Sequence, residues 1–454
     1  MLLTETREEI DVFRDGSGSR AVERTWERVT RDPRRTAVVA IALSSLVRLV
    51  YVTYLGDDIG GPDGDTYDSG GWDFATGGLL EDEVTGLPYW PPGYPMLVGA
   101  HYALFGHHPY VVKLSQVVAI ALLSWLVFRV ADRIAGAEVG VVAVIGMSVS
   151  FAWIALSHPL MYEPWLALFL AAALWWSLRA LDTARSKYWV GVGASLGLAT
   201  AMSDKFLSLV VLLSLWLLVS RPRSRTRLAG GVVVLVLAGS IVALLAGRNV
   251  LVYGEPIVLA NNHGINLVIG SGPSATGGYV PAPRLPDGCP ADAVPVSSPA
   301  DDRALTACSV RYIASDPGRF VGLMPSRMLR FWAPFVGPHF EPSDWQHFFD
   351  YRAALPEGLR TSGSFGSLEV ILSAAWATGG LLLALLGAFI LRESAGREEF
   401  VLLILPIAWL IAVHLVTFGD PRFRVPILPF LWMLQAVALV RFLAPAPLRD
   451  QTSS

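Results

Sequence analysis

Long apolar runs separated by short polar turns set the pattern of this chain. A helix that crosses a bilayer needs about 20 mostly apolar residues, because lipid offers no partner for open backbone groups. Runs of this kind predict spans at Ala37–Leu55, Tyr110–Phe128, Glu138–Leu156, Pro164–Leu178, Tyr188–Met202 and Phe206–Ser220. Further spans are predicted at Ala229–Ala246, Leu368–Leu391, Phe400–Phe418 and Val425–Val440. The stretch Met96–Phe105 is apolar but too short to cross, so it is expected to lie in the interface or to re-enter. The expected fold is therefore an all-α polytopic membrane protein of about ten transmembrane helices. Interfacial helices and one mixed outer loop domain complete it.

Composition agrees. Hydrophobic residues make up 53% of the 454 and charged residues only 16%, against about 25% charged in an ordinary soluble protein. A disordered chain, a coiled coil and a typical soluble enzyme are excluded. The net charge of −3 gives no reason to expect nucleic acid.

The placement of Lys and Arg predicts the orientation. Residues 1–36 hold eight Arg, and with the alternate turns they account for 21 of the 35 basic residues. The opposite segment 56–109 holds none. This places residues 1–36 in the cytoplasm as a basic N-terminal segment, with residues 441–454 a cytoplasmic tail. Residues 37–247 form a transmembrane core with an acidic first outer loop at 56–109, and residues 368–440 form the C-terminal helices. Residues 1–36 do not resemble a cleavable signal, and no internal repeat is visible.

The segment 248–367 is long for a structureless loop and is expected to form an outer-face domain. Both cysteines, Cys289 and Cys308, fall in it. A disulfide is chemically permitted on the outer face, with two free thiols the alternative. Two Cys without nearby His do not make a zinc site.

The first outer loop carries nine acids, Asp57, Asp58, Asp63, Asp65, Asp68, Asp73, Glu81, Asp82 and Glu83, and no Lys or Arg. The loop also holds Tyr67, Trp72 and Phe74, aromatics of the kind that favour a bilayer interface. The stiff segment Tyr89-Trp90-Pro91-Pro92-Gly93-Tyr94-Pro95 follows. A carboxylate at a low-dielectric boundary gains basicity and can serve as a general base. Glu163, in the short turn Ser157–Pro164, is a second such acid, although an acid there also suits the start of a helix.

The order of these elements resembles the GT-C superfamily of membrane glycosyltransferases. The likeness is to the bacterial relatives of protein O-mannosyltransferases and of lipid A aminoarabinose transferases. It rests on Gly64-Asp65-Thr66-Tyr67-Asp68 after the first span, then Pro91–Pro95 and Leu104-Phe105-Gly106. It continues with Arg248-Asn249, Asn261–Leu267, Asp316–Phe320, Phe331–Pro334 and Arg422-Phe423-Arg424-Val425-Pro426. The resemblance implies an inverting transfer from a polyprenyl-phosphate sugar on the outer face of the plasma membrane. The acceptor would be a glycan, lipid or protein. By motif the general base is Asp65, with Asp68 or Glu163 as a second carboxylate, because Thr66 stands where a paired acid often follows. Some members use a divalent cation, Mg or Mn, and others do not. Asp65 and Glu163 are the ligands if one is bound.

The leaving polyprenyl phosphate needs a cation as charge develops. Arg248, Arg422, Arg424 and Lys205 are the candidates, and each also suits an interfacial anchor. Arg48, inside the first span, is a substrate-binding or structural charge. His263, Asn262 and Asn266 are candidate donor contacts, as is Tyr94, or members of an ordinary polar turn. The rival reading is a transporter or lipid flippase, which would place its charges near the bilayer midplane.

Overall fold

The computed structural model describes residues 31–59, 62–78, 80, 88–220, 224–294, 296, 298–333 and 365–443. Among them the regular structure is entirely helical. Seven helices are long and apolar enough to cross a membrane: Pro33–Leu55, Pro109–Ala135, Glu163–Thr183, Arg225–Tyr253, Ala375–Ser394, Arg397–Val416 and Pro421–Leu443. The other three expected spans fall on shorter helices, Ala137–Val149, Lys187–Met202 and Phe206–Val219. The chain is a multi-pass membrane protein.

Local chemistry sets several helix starts. Pro109 opens Pro109–Ala135, where its fixed φ suits the first turn and its missing N–H costs nothing. Asp32, Ser224, Ser298 and Asp316 each accept a backbone N–H from the first turn of the helix that follows. In the middle of the bundle, Pro421–Leu443 buries 67% of its apolar window, against 17% for the first span. The more exposed helices therefore present their Leu and Val side chains outward, where lipid would meet them. Far from the acidic loop, Arg133 meets Asp182 and Arg227 meets Glu398.

One expected span is not continuous. Glu138–Leu156 breaks at Ser150, whose backbone is extended, and resumes only as the short helix Phe151–Ala155. Apolar character alone does not reveal such a break, because both halves stay hydrophobic. The fully buried Arg48 of the first span donates through Nε to the Trp153 carbonyl at 3.1 Å. A backbone break inside lipid needs a protein partner of this kind. Arg48 is thus a structural donor here and does not meet the acidic site.

The acidic loop contains a helix, Pro62–Ala75, which lies flush on the helix Gly93–Phe105. The close approach depends on two glycines. A Cβ at Gly99 would sit 2.6 Å from the Gly71 carbonyl oxygen, and one at Gly71 would sit 2.4 Å from the Val98 side chain. Met96–Phe105 thus belongs to a short helix beside the bundle.

Helix Arg225–Tyr253 runs past residue 246, so Arg248 is helical. A small lobe follows, in which His263–Ser271 packs on Pro299–Ser315. Its own core holds Ile265, Val268, Ile269, Ala293, Val296, Leu305 and Phe418. A disulfide joins Cys289 to Cys308, with their Cα atoms 5.4 Å apart. His339 and His347 of the long loop lie outside the described residues.

Candidate active site

Three chain segments converge at one end of the bundle. The first is the start of Pro62–Ala75. Gly64 lies against the Ile59 carbonyl, where a Cβ would stand 2.1 Å from the oxygen. The same Ile59 carbonyl accepts the Leu160 N–H at 3.3 Å. This tight seat ties the helix start to the turn that ends at Glu163, and it turns Asp63 inward. Asp63 is buried, while Asp65 is exposed and forms no hydrogen bond among the described residues. Residues two apart on a helix point roughly 200° away from each other, so only one of the two acids can face the bundle. Asp63, rather than the expected Asp65, therefore faces the bundle.

One turn beyond Asp63, the buried Tyr67 meets the rings of Tyr94 at 4.9 Å, Tyr162 at 5.9 Å and Trp90 at 6.1 Å. Burial raises the Tyr67 phenol well above its usual range, so it stays neutral. Tyr94 acts through its hydroxyl, which donates to Gln116 Oε1 at 2.7 Å. Gln116 in turn donates to the Pro159 carbonyl at 2.9 Å and accepts from the Met161 N–H at 3.3 Å. The amide thereby fixes the turn that carries Glu163. Tyr94 is a support of the site rather than a visible substrate contact.

Glu163 opens the helix Glu163–Thr183, where the helix dipole favours its charge. Arg422 brings the acids together. Its Nη1 donates to Asp63 Oδ2 at 2.6 Å and its Nε to Glu163 Oε1. The guanidinium also lies 5.5 Å from the Tyr162 ring centroid. Arg422 is placed by Asp420, which accepts the Arg422 N–H at 2.8 Å at the start of the tight turn Pro421–Ile427. Glu163 Oε2 is buried without a hydrogen-bond partner. A divalent cation between Asp63 and Glu163 would have to displace the guanidinium. Among the described residues no group of three or more His, Cys, Asp or Glu side chains could hold a metal ion. Asp65 and Glu163 do not form the expected ligand pair; it is Asp63 and Glu163 that face each other across Arg422.

Beside this group stands Lys205, its ammonium 4.9 Å from the Phe423 ring. Among the described residues that ammonium makes no ion pair. The neighbouring Asp204 faces His263 Nε2 at 2.7 Å, and His263 Nδ1 lies 3.5 Å from Asp302. The hydrogen bonds to Asp204 and Asp302 push His263 up to about 10. The imidazole is thus charged at neutral pH and joins the lobe to the bundle. Its folded-state value lies above the ordinary 6.5, so its stabilisation is complete below that value and is lost as pH rises through about 10. Thermal unfolding of the wild-type protein should therefore fall between these pH values more steeply than that of His263→Leu. Parallel slopes would show that the contact contributes nothing.

The remaining candidates are engaged elsewhere. Arg248 donates to Asn249 Oδ1 at 2.8 Å and to the Tyr253 hydroxyl at 3.1 Å, and that hydroxyl donates to the Leu80 carbonyl. Arg424 donates to the Phe331 carbonyl. Asp68 accepts from the Tyr102 hydroxyl and lies 3.0 Å from His107 Nε2, on the helix face away from Asp63. Asn266 is half-buried and makes no side-chain hydrogen bond among the described residues. Asn262 is buried at the start of its helix.

The fold resembles that of a solved archaeal oligosaccharyltransferase. Residues 90–246 match the family model described as dolichyl-phosphate-mannose-protein mannosyltransferase. Among solved structures, the Archaeoglobus fulgidus oligosaccharyltransferase in the apo form is 16% identical at a TM-score of 0.52, covering 90% of this chain and 50% of that one. The same enzyme tethered to an acceptor peptide is 15% identical at 0.53, covering 91% and 50%. ArnT from Cupriavidus metallidurans bound to undecaprenyl phosphate is a looser likeness, 16% identical at 0.40, covering 89% and 77%. The chain thus spans about half the length of the oligosaccharyltransferase structures it matches. No curated protein matches the chain by sequence.

Proposed function

We propose that the chain transfers a sugar from a polyprenyl-phosphate donor to an acceptor hydroxyl at the outer face of the plasma membrane, with residues 1–36 in the cytoplasm. The observation that carries this reading is the Asp63–Arg422–Glu163 group beside the Lys205 ammonium, which makes no ion pair among the described residues, all at one end of an apolar bundle. A donor with a long isoprenoid tail would keep its phosphate at headgroup level, where such a site would meet it. The match of residues 90–246 to a dolichyl-phosphate-mannose family supports the donor class.

Asp63 is the general base in this reading. Arg422 holds its Oδ2, which orients the carboxylate and leaves Oδ1 to take the acceptor proton. The acceptor oxygen forms its bond to the anomeric carbon as the bond to the phosphate oxygen breaks. The electron pair leaves on the polyprenyl phosphate, whose growing charge Lys205 offsets. A single displacement of this kind inverts the anomeric centre. Glu163 shares Arg422 and sets the position of its guanidinium.

The test is turnover in liposomes that hold the purified protein and lipid-linked mannose or arabinose. The reading expects free polyprenyl phosphate to appear together with a glycosylated acceptor. Movement of the intact donor across the bilayer without its cleavage would favour a flippase and overturn the reading.

A further inference from the structure

Asp204 and Lys205 are neighbours in the chain with opposite charges, yet no ion pair joins their side chains. The reason lies in what holds Asp204. Its Oδ1 accepts the Lys205 N–H at 2.8 Å, and its Oδ2 faces His263 Nε2 at 2.7 Å. Both oxygens are therefore occupied, one by backbone and one by the lobe.

The imidazole is itself held from behind. Asp302 Oδ2 lies 3.5 Å from His263 Nδ1, and Asp302 Oδ1 accepts the Gly264 N–H at 2.7 Å. Gly264 has no room for a side chain, since a Cβ would stand 2.5 Å from the Asp302 carbonyl oxygen. The two lobe helices thus fix Asp302 behind His263, and their close packing at Gly264 aims the ring at Asp204 in the bundle turn. An imidazolium in this position neutralises the one carboxylate adjacent in sequence to the free ammonium. The His263 side chain is half exposed, so solvent screens part of this attraction, and the geometry of the contact sets which group Asp204 faces.

We infer that His263 is a positioning residue for the donor phosphate: by engaging Asp204 it keeps that carboxylate off Lys205 and leaves the ammonium free for the anion. The inference rests on the reading that Lys205 contacts a polyprenyl phosphate. Without His263, Asp204 turns to Lys205 and competes with the phosphate for the same cation. The lobe thereby contributes to donor affinity without touching the donor.

The experiment measures binding of undecaprenyl phosphate, and separately of phosphatidylglycerol, to the full-length protein in nanodiscs. His263→Leu should weaken undecaprenyl phosphate binding about tenfold, and His263→Arg, which still pairs with Asp204, should stay within about threefold of wild type. The double variant His263→Leu/Asp204→Asn should regain wild-type affinity, because the competing carboxylate is gone. A purely structural role for His263 would not be rescued by that second change. In a Lys205→Met background His263→Leu should have no further effect. Undecaprenyl phosphate binding undiminished in Lys205→Met, or matched by phosphatidylglycerol, would overturn the donor site on which the inference rests. Binding that needs Lys205 but is unmoved by His263→Leu, or is not restored in the double variant, would overturn the inference alone.

Discussion

Asp63→Asn should lower the transfer rate about a thousandfold, while Asp65→Asn should stay within about threefold of wild type. The amide is close to isosteric and can still accept from Arg422, so the site should stay assembled. What it loses is the lone pair that takes the acceptor proton. Donor affinity should change little, because the phosphate is held by Lys205, and the loss should appear in kcat rather than KM. Asp65 carries the same chemistry two residues away but faces outward. Steady-state kinetics on the two purified variants separate them. A large loss in Asp65→Asn with near-normal Asp63→Asn would move the base to the exposed face of the helix, with Asp68 and Trp72 as its neighbours.

Arg422→Ala should be among the most destabilising single substitutions in the described chain. The guanidinium is the shared partner of two buried carboxylates. Its removal leaves Asp63 and Glu163 facing each other without a cation, a loss of about 3–5 kcal/mol for a broken buried pair. Arg422→Lys should recover only part of this, since one ammonium does not reproduce the fork that reaches both acids. Adding Glu163→Gln to Arg422→Ala should restore part of the lost stability by removing one stranded charge. Thermal unfolding in detergent, followed for the three variants, checks the order. Equal melting temperatures for Arg422→Ala and wild type would show that the group is held by something else.

The membrane architecture was legible in the sequence because lipid leaves few alternatives. The apolar runs fall on helices, with Glu138–Leu156 broken at Ser150, and the likeness to the GT-C glycosyltransferases agrees with the fold. Three features were not legible. The break at Ser150 was hidden because both flanking pieces are hydrophobic, and the donor that satisfies it, Arg48, comes from a span 105 residues away in sequence. The engagement of Arg424 with the Phe331 carbonyl depends on the lobe's path back to the bundle. The choice between Asp63 and Asp65 turned on the contact of Gly64 with the Ile59 carbonyl, which no local pattern encodes. A weaker signal was present all the same. Asp63, Tyr67 and Gly71 recur at helical spacing on one face, and Asp65, Asp68 and Trp72 on another. The face with the glycine is the one that packs closely. The acidic cluster drew attention to this helix, and the motif pointed to Asp65, which lies on its exposed side.

The structure of the protein in a nanodisc with undecaprenyl phosphate, solved by electron microscopy, addresses the central claim most directly. The account predicts the phosphate within hydrogen-bond reach of Lys205 Nζ, beside an Asp63 still held by Arg422. A phosphate bound next to Asp65, or at a place from which the Asp63 carboxylate is sealed off, would contradict it.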